Sequence, residues 1–105
     1  MNKSISAVKN KQTRGYILKI AKISYPEAVG ANTIDVCLLE YGLGLSGQSL
    51  KGHIKYLEDR GYVATREIQL EQLGRKVPLV ELTSKGIDLL EGTIEDAGVT
   101  VNEYE

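Results

Sequence analysis

The chain holds no tryptophan, no phenylalanine, two prolines, one cysteine and one histidine in 105 residues. A lone cysteine cannot close an internal disulfide. Cys37 and His53 together cannot supply the three or four protein ligands of a usual metal site, so no metal is expected. Cys37 stands in the apolar run Val36-Cys37-Leu38-Leu39 and is expected to pack, as free cysteine usually does. Six tyrosines make up the whole aromatic set. Of these, Tyr16, Tyr41 and Tyr62 fit the edge of a core with the hydroxyl in water better than a row of base-stacking platforms. Nowhere do apolar residues approach the eighteen or so in succession of a membrane span, and the polar start MNKSISAVKNKQTRG lacks the apolar centre of a secretory signal. The expectation is a cytoplasmic protein with no membrane partner.

Groups for catalysis are equally scarce. Glu58 and Asp59 are adjacent and so diverge on a helix, which defeats paired-carboxylate chemistry. There is no phosphate-binding loop, and no serine or cysteine stands in a recognisable relation to a base. The reading is of a protein that is not an enzyme and carries no cofactor.

What the chain does have is an uneven distribution of charge beneath a net charge of −1. Residues 1–66 carry ten Lys/Arg against five Asp/Glu, a net of +5, and residues 67–105 carry three against nine, a net of −6. Up to Lys22 every charged side chain is positive: Lys3, Lys9, Lys11, Arg14, Lys19 and Lys22. A basic amino-terminal half suits a phosphate-bearing partner, and an acidic carboxyl-terminal end would be held away from it.

The length allows one modest core. Residues 1–12 read as a flexible basic start, 13–95 as the folded domain and 96–105 as an acidic tail, with the part beyond Gly98 loose. From Thr13 to Ile23 the positions Tyr16, Ile17, Ile20, Ala21 and Ile23 recur at helical spacing. Ser24-Tyr-Pro-Glu27 has the form of a capping box and predicts a fresh helical turn ended by Gly30. Asn32 or Thr33 can cap a second helix with the face Ile34, Cys37, Leu38 and Tyr41, which Gly42-Leu-Gly44 stops. Ser46 is placed to cap a third helix, with Leu50, Ile54 and Leu57 facing inward and Gln48, Gly52 and Lys55 outward. Gly61 ends it. Strands follow at 62–70 and 77–82 around Gln72-Leu-Gly-Arg-Lys76, with Pro78 indicating an edge strand. Thr83 caps a last helix that presents Ile87, Leu90 and Ile94, with Leu89 beside them, to the core. The class is α+β, mainly α: helix, helix, helix, strand, strand, helix.

Two motifs in this order resemble the winged helix-turn-helix domains of MarR, ArsR and PadR type regulators. One is Leu45-Ser46-x-x-Ser49-Leu50-Lys51-x-His53-Ile54-x-x-Leu57-Glu58-x-x-Gly61-Tyr62-Val63, and the other is Leu82-Thr83-x-x-Gly86-x-x-Leu89-Leu90. The run from Asn32 to Val63, with Leu82-Thr83-Ser84-Lys85-Gly86-Ile87-Asp88 and the Gly92 to Gly98-Val99 tail, is similar to small winged-helix proteins of Mu-like prophages. Two positions depart from that pattern: Gly47 stands where a basic residue is common, and Tyr56 where tryptophan is.

The resemblance implies a three-helix core, a β-hairpin wing at 62–82, a recognition helix at 46–60 and double-stranded DNA as partner, in a transcriptional regulator or DNA-associated accessory factor. Gln48 suits adenine, Lys51 guanine or phosphate, and Lys55 phosphate, with Ser49 beside them. Gly52 costs a helix about 1 kcal/mol relative to alanine, which suggests either close approach of a backbone or contact within the fold. Arg66, Arg75 and Lys76 suit phosphate or minor-groove contact from the wing. Such domains often bind as homodimers to paired half-sites, though this chain lacks a long dimerisation helix. The alternative is a winged-helix interaction module that binds another phage protein in an assembly or packaging complex through Leu70, Leu73 and Leu79.

Overall fold

The computed structural model describes residues 2–44 and 47–101, with the side chains of 2–4, 47 and 48 outside the description. The first helix, α1 (Asn2–Ser24), is held by Ile17, Leu18, Ile20 and Ala21, all buried. It starts at Asn2 rather than at Thr13. Once the anchored half has nucleated, each added residue gains a hydrogen bond without a new nucleation cost, so the polar residues up to Gln12 continue the helix without an apolar face of their own. Ile23, expected inside, is 81% exposed, and Leu18 occupies the core instead.

The predicted helical turn at Ser24–Glu27 is absent. The chain makes a non-helical turn through a cis Tyr25–Pro26 bond, and the Glu27 N–H donates to the Ser24 carbonyl at 2.8 Å. A residue before proline is disfavoured in the helical region, so the chain leaves α1 here. It enters β1 (Val29–Gly30), a strand the sequence pattern does not signal. Helix α2 (Ala31–Glu40) then starts directly from Gly30, whose extended conformation is set by pairing with Leu79; neither Asn32 nor Thr33 is the cap.

Two glycines stop α2 and α3 (Gly47–Asp59) in the same way. Gly42 and Gly61 adopt φ of 78° and 83°, a region costly for other residues. At α2, Gly42 and Leu43 donate to the Leu39 and Leu38 carbonyls at 3.0 and 2.9 Å; at α3, Gly61 and Tyr62 donate to Glu58 and Leu57 at 2.9 and 3.0 Å. Each closure leaves an apolar residue just past the helix for the core: Leu43 packs partly against it, and Tyr62 is buried in it. The predicted Ser46 cap of α3 lies outside the described residues.

Tyr62 leads into β2 (Val63–Leu70), which pairs antiparallel with β3 (Arg75–Leu82) from Val63↔Leu82 to Leu70↔Arg75. The sheet order is β1-β3-β2, so β3 is central and Pro78 is not on an edge strand. β1 ends opposite Leu79, and no β1 residue pairs with Pro78, which is where a central strand tolerates a residue without an N–H.

Thr83 caps α4 (Ser84–Leu90) as predicted, accepting from the Gly86 N–H at 3.1 Å, and its hydroxyl donates to the Gly61 carbonyl at 2.6 Å. Gly86 is required there, because a Cβ would run into the Tyr62 carbonyl and Leu82. Leu89 is the fully buried residue of α4, while Ile94 lies past its end and packs partly against the core. The segment expected to be loose beyond Gly98 is docked as far as Val101. Val99 is buried, and the Thr100 N–H donates to the Lys11 carbonyl at 3.1 Å. Four helices and a three-stranded antiparallel sheet, among the described residues, thus enclose one core centred on Ile17, Leu18, Ile34, Leu38, Leu57, Val80, Leu82 and Leu89.

Candidate functional site

Helix α3 turns Leu50 and Leu57 into the core, with Ile54 half-buried beside them, as its spacing predicts. Lys51, Gly52, Lys55 and Asp59 are left on the exposed side. Ser49 is exposed as well, and Gln48 falls in the first turn with its side chain outside the described residues. Gly52 has nothing within 4 Å of where a Cβ would stand, so nothing within the described fold calls for a glycine there.

The Lys55 ammonium is paired with Asp59 one turn along, at 2.6 Å, with both side chains well exposed at 68% and 58%. The hydrogen bond first, and then the charge of Asp59, holds the Lys55 pKa above its ordinary value. An exposed pair of this kind is readily exchanged for a stronger anion.

Between α3 and the β2–β3 hairpin runs an open groove of about 600 Å³. Leu50, Ile54 and Val80 form its apolar floor; Lys51, Lys55 and Arg66 line it together with Glu58 and Glu67. The Thr65 hydroxyl donates to the Glu58 carboxylate at 2.5 Å, tying β2 to the helix. Three of the predicted cations therefore meet in one groove. Arg75 and Lys76 do not join them: they stand exposed at the far end of the hairpin, opposite Leu70 and Gln69. Arg66 lies four strand positions from Leu70, so Arg66 and Arg75 are separated by about 13 Å along the hairpin.

The other flank of α3 carries a cluster that the sequence pattern does not announce. Tyr56 is sandwiched between two guanidinium groups, Arg14 at 3.7 Å and Arg60 at 4.3 Å from its ring centre. Arg14 also donates to His53 Nδ1 at 3.3 Å and to the Gly98 carbonyl at 3.1 Å. Partial burial first, and then the charge of Arg14, lowers the His53 pKa, so the ring stays neutral and serves as an acceptor.

Tyr62, expected to keep its hydroxyl in water, is 4% exposed and donates to Asp96 at 2.6 Å. Burial, with that bond, pushes its pKa up to about 12. Burial alone would raise Asp96, but hydrogen bonds from Tyr62 and the Gly98 N–H, with Arg60 and Arg14 nearby, hold it below the ordinary carboxylate value. Only the four-residue spacing of Tyr56 and Arg60, at the end of α3, is visible in sequence. Arg14 and Asp96 arrive from distant segments.

Tyr16 and Tyr41 stack with ring centres 4.4 Å apart, and Cys37 packs partly against the core. Among the described residues no group of three or more His, Cys, Asp or Glu is arranged to hold a metal ion, and no helix is long and apolar enough to cross a membrane. Comparison with protein-family models, with curated proteins and with solved structures gives no match. What the fold and site define is a small α+β protein with a cationic helix face beside a hairpin groove.

Proposed function

We propose that the chain is a winged helix-turn-helix protein that binds double-stranded DNA, with α3 as the recognition helix and the β2–β3 hairpin as the wing. It acts by occupying DNA rather than by catalysis, as a transcriptional regulator or DNA-associated accessory factor. The observation that carries the reading is the outer face of α3. Gly52 stands there in open space between Lys51 and Lys55, so a helix backbone is exposed to close approach and flanked by two cations. Backbone proximity with flanking lysines is what phosphate contact requires, and Arg66 adds a third positive charge from the wing side of the groove. Arg75 and Lys76, exposed at the far end of the hairpin, would reach a phosphate further along the duplex. Gly52 also removes a side chain that could read a base, which favours modest sequence specificity.

The rival reading, an interaction module for another protein of a phage assembly, has one observation in its favour: Leu73 at the hairpin tip is 59% exposed. Leu70 and Leu79 are only half exposed and do not extend it into a large apolar patch.

Reversing two charges separates the readings. Lys51→Glu/Lys55→Glu should abolish duplex binding measured by fluorescence anisotropy at low salt, with the circular dichroism spectrum retained. A folded double variant that binds DNA as well as the wild type would remove α3 from the interface. Leu73→Asp should leave DNA binding unchanged.

A further inference from the structure

Two exposed apolar pairs stand on α1 and α2, each at a spacing of three residues: Ile5 and Val8, 61% and 53% exposed, and Val36 and Leu39, 60% and 65% exposed. At about 100° per residue each pair forms one short stripe along its helix. Charge edges both stripes. Lys9 and Lys11 fall about 70–90° to either side of Ile5 and Val8, and Asp35 and Glu40 about 70° to either side of Val36 and Leu39. The first stripe lies on a helix with no carboxylate, the second on a helix with no Lys or Arg. Among the described residues none of these four charged side chains forms an ion pair within the chain.

The two stripes cannot meet within one copy. α1 turns Ile17 and Ala21 to the core and α2 turns Ile34 and Leu38 to it, all buried, so each stripe lies on the side of its own helix that faces away from the core. Between copies, like stripes repel. Two α1 stripes face to face would set lysine against lysine, and two α2 stripes carboxylate against carboxylate. An α1 stripe on an α2 stripe matches apolar with apolar and sets two lysines against two carboxylates. We propose that a second copy of this chain covers both surfaces: the amino-terminal half of α1 from one copy lies on the outer face of α2 of the other, and the exchange is reciprocal. Each copy gives one stripe and receives one, so two copies close about a two-fold axis and leave neither stripe open. No residue of α3 or the hairpin takes part, so the pairing does not rest on the DNA reading.

Sedimentation equilibrium of the full chain at low salt tests this, with two variants changed only at exposed positions. Ile5→Asp/Val8→Asp sets acid against the acidic edges of α2, and Val36→Lys/Leu39→Lys sets lysine against the basic edges of α1. The wild type should rise toward twice the monomer mass as concentration increases. Each variant alone, with its circular dichroism spectrum retained, should stay monomeric. An equimolar mixture of the two variants should associate again, because the intact α1 of one meets the intact α2 of the other and the altered pair is itself opposite in charge. A pairing of like stripes does not predict that recovery. A wild type that stays monomeric up to about 1 mM would overturn the proposal. So would association lost in only one variant, a mixture that stays monomeric, or a mass that climbs past the dimer.

Discussion

Gly52 sits in the interior of α3 with no atom beyond its chain neighbours and its own stretch of helix backbone within 4 Å of where a Cβ would stand, so Gly52→Ala adds a side chain that neither clashes nor packs. What remains is the backbone term. Alanine loses less conformational freedom than glycine on entering a helix, and the change at an exposed interior position is worth about 1 kcal/mol of added stability. For a domain of this size that raises the melting temperature by about 4–8 °C. Urea titration followed by circular dichroism should show the midpoint moving up with the slope unchanged. The same methyl occupies the space through which a DNA backbone would approach, so affinity for duplex should fall even as stability rises. A loss of about 1.4 kcal/mol would read as tenfold in the dissociation constant. Lower stability would refute the description of Gly52 as exposed helix interior. Higher stability with unchanged DNA affinity would refute close approach at this residue.

Gly15→Ala should act in the opposite sense on stability, because its methyl meets the Thr100 carbonyl; overpacking of this kind costs about 1–3 kcal/mol and should show as a lowered urea midpoint. Asp59→Asn releases Lys55 from its ion pair and should tighten duplex binding in the anisotropy assay; weaker binding would argue against Lys55 as a phosphate contact. Partial burial and then the charge of Arg14 should make His53 titrate by NMR below its usual 6.5, and Arg14→Gln should raise the midpoint part of the way, leaving the effect of burial. The unfolded chain takes up that proton near 6.5 and the folded chain only lower. His53's contribution to stability is thus full above the unfolded value and is lost as pH falls through the folded one.

Local signals carry much of this fold. Gly42, Gly61 and Thr83 each mark a helix boundary through a conformational or capping demand that one residue meets, and Leu50 with Leu57 define the buried side of α3 by spacing alone. Strand β1 is different. Two residues have no periodicity to read, and Val29–Gly30 is a strand only because β3 offers it a free edge. The helical state of Asn2–Gln12 is likewise inherited from the anchored half of α1 rather than encoded in a pattern. The edge-strand expectation for Pro78 fails for the same reason, since it takes β1 to make β3 central.

At the site, Lys51, Gly52 and Lys55 are legible because one helix places them. That Arg66 joins their groove while Arg75 and Lys76 stand apart is a matter of how the hairpin leans on α3. The Arg14–Tyr56–Arg60 stack and the Tyr62–Asp96 bond require three distant segments to meet.

The central claim is that α3 and the hairpin hold phosphates, and the salt dependence of binding tests it most directly. Each phosphate neutralised contributes a log-log slope of about −0.9, so contacts from Lys51, Lys55, Arg66, Arg75 and Lys76 together predict about −4.5 for the wild type. Lys51→Ala/Lys55→Ala should flatten it by about 1.8. A slope near zero, no binding at low salt, or the same slope in the variant would contradict the account.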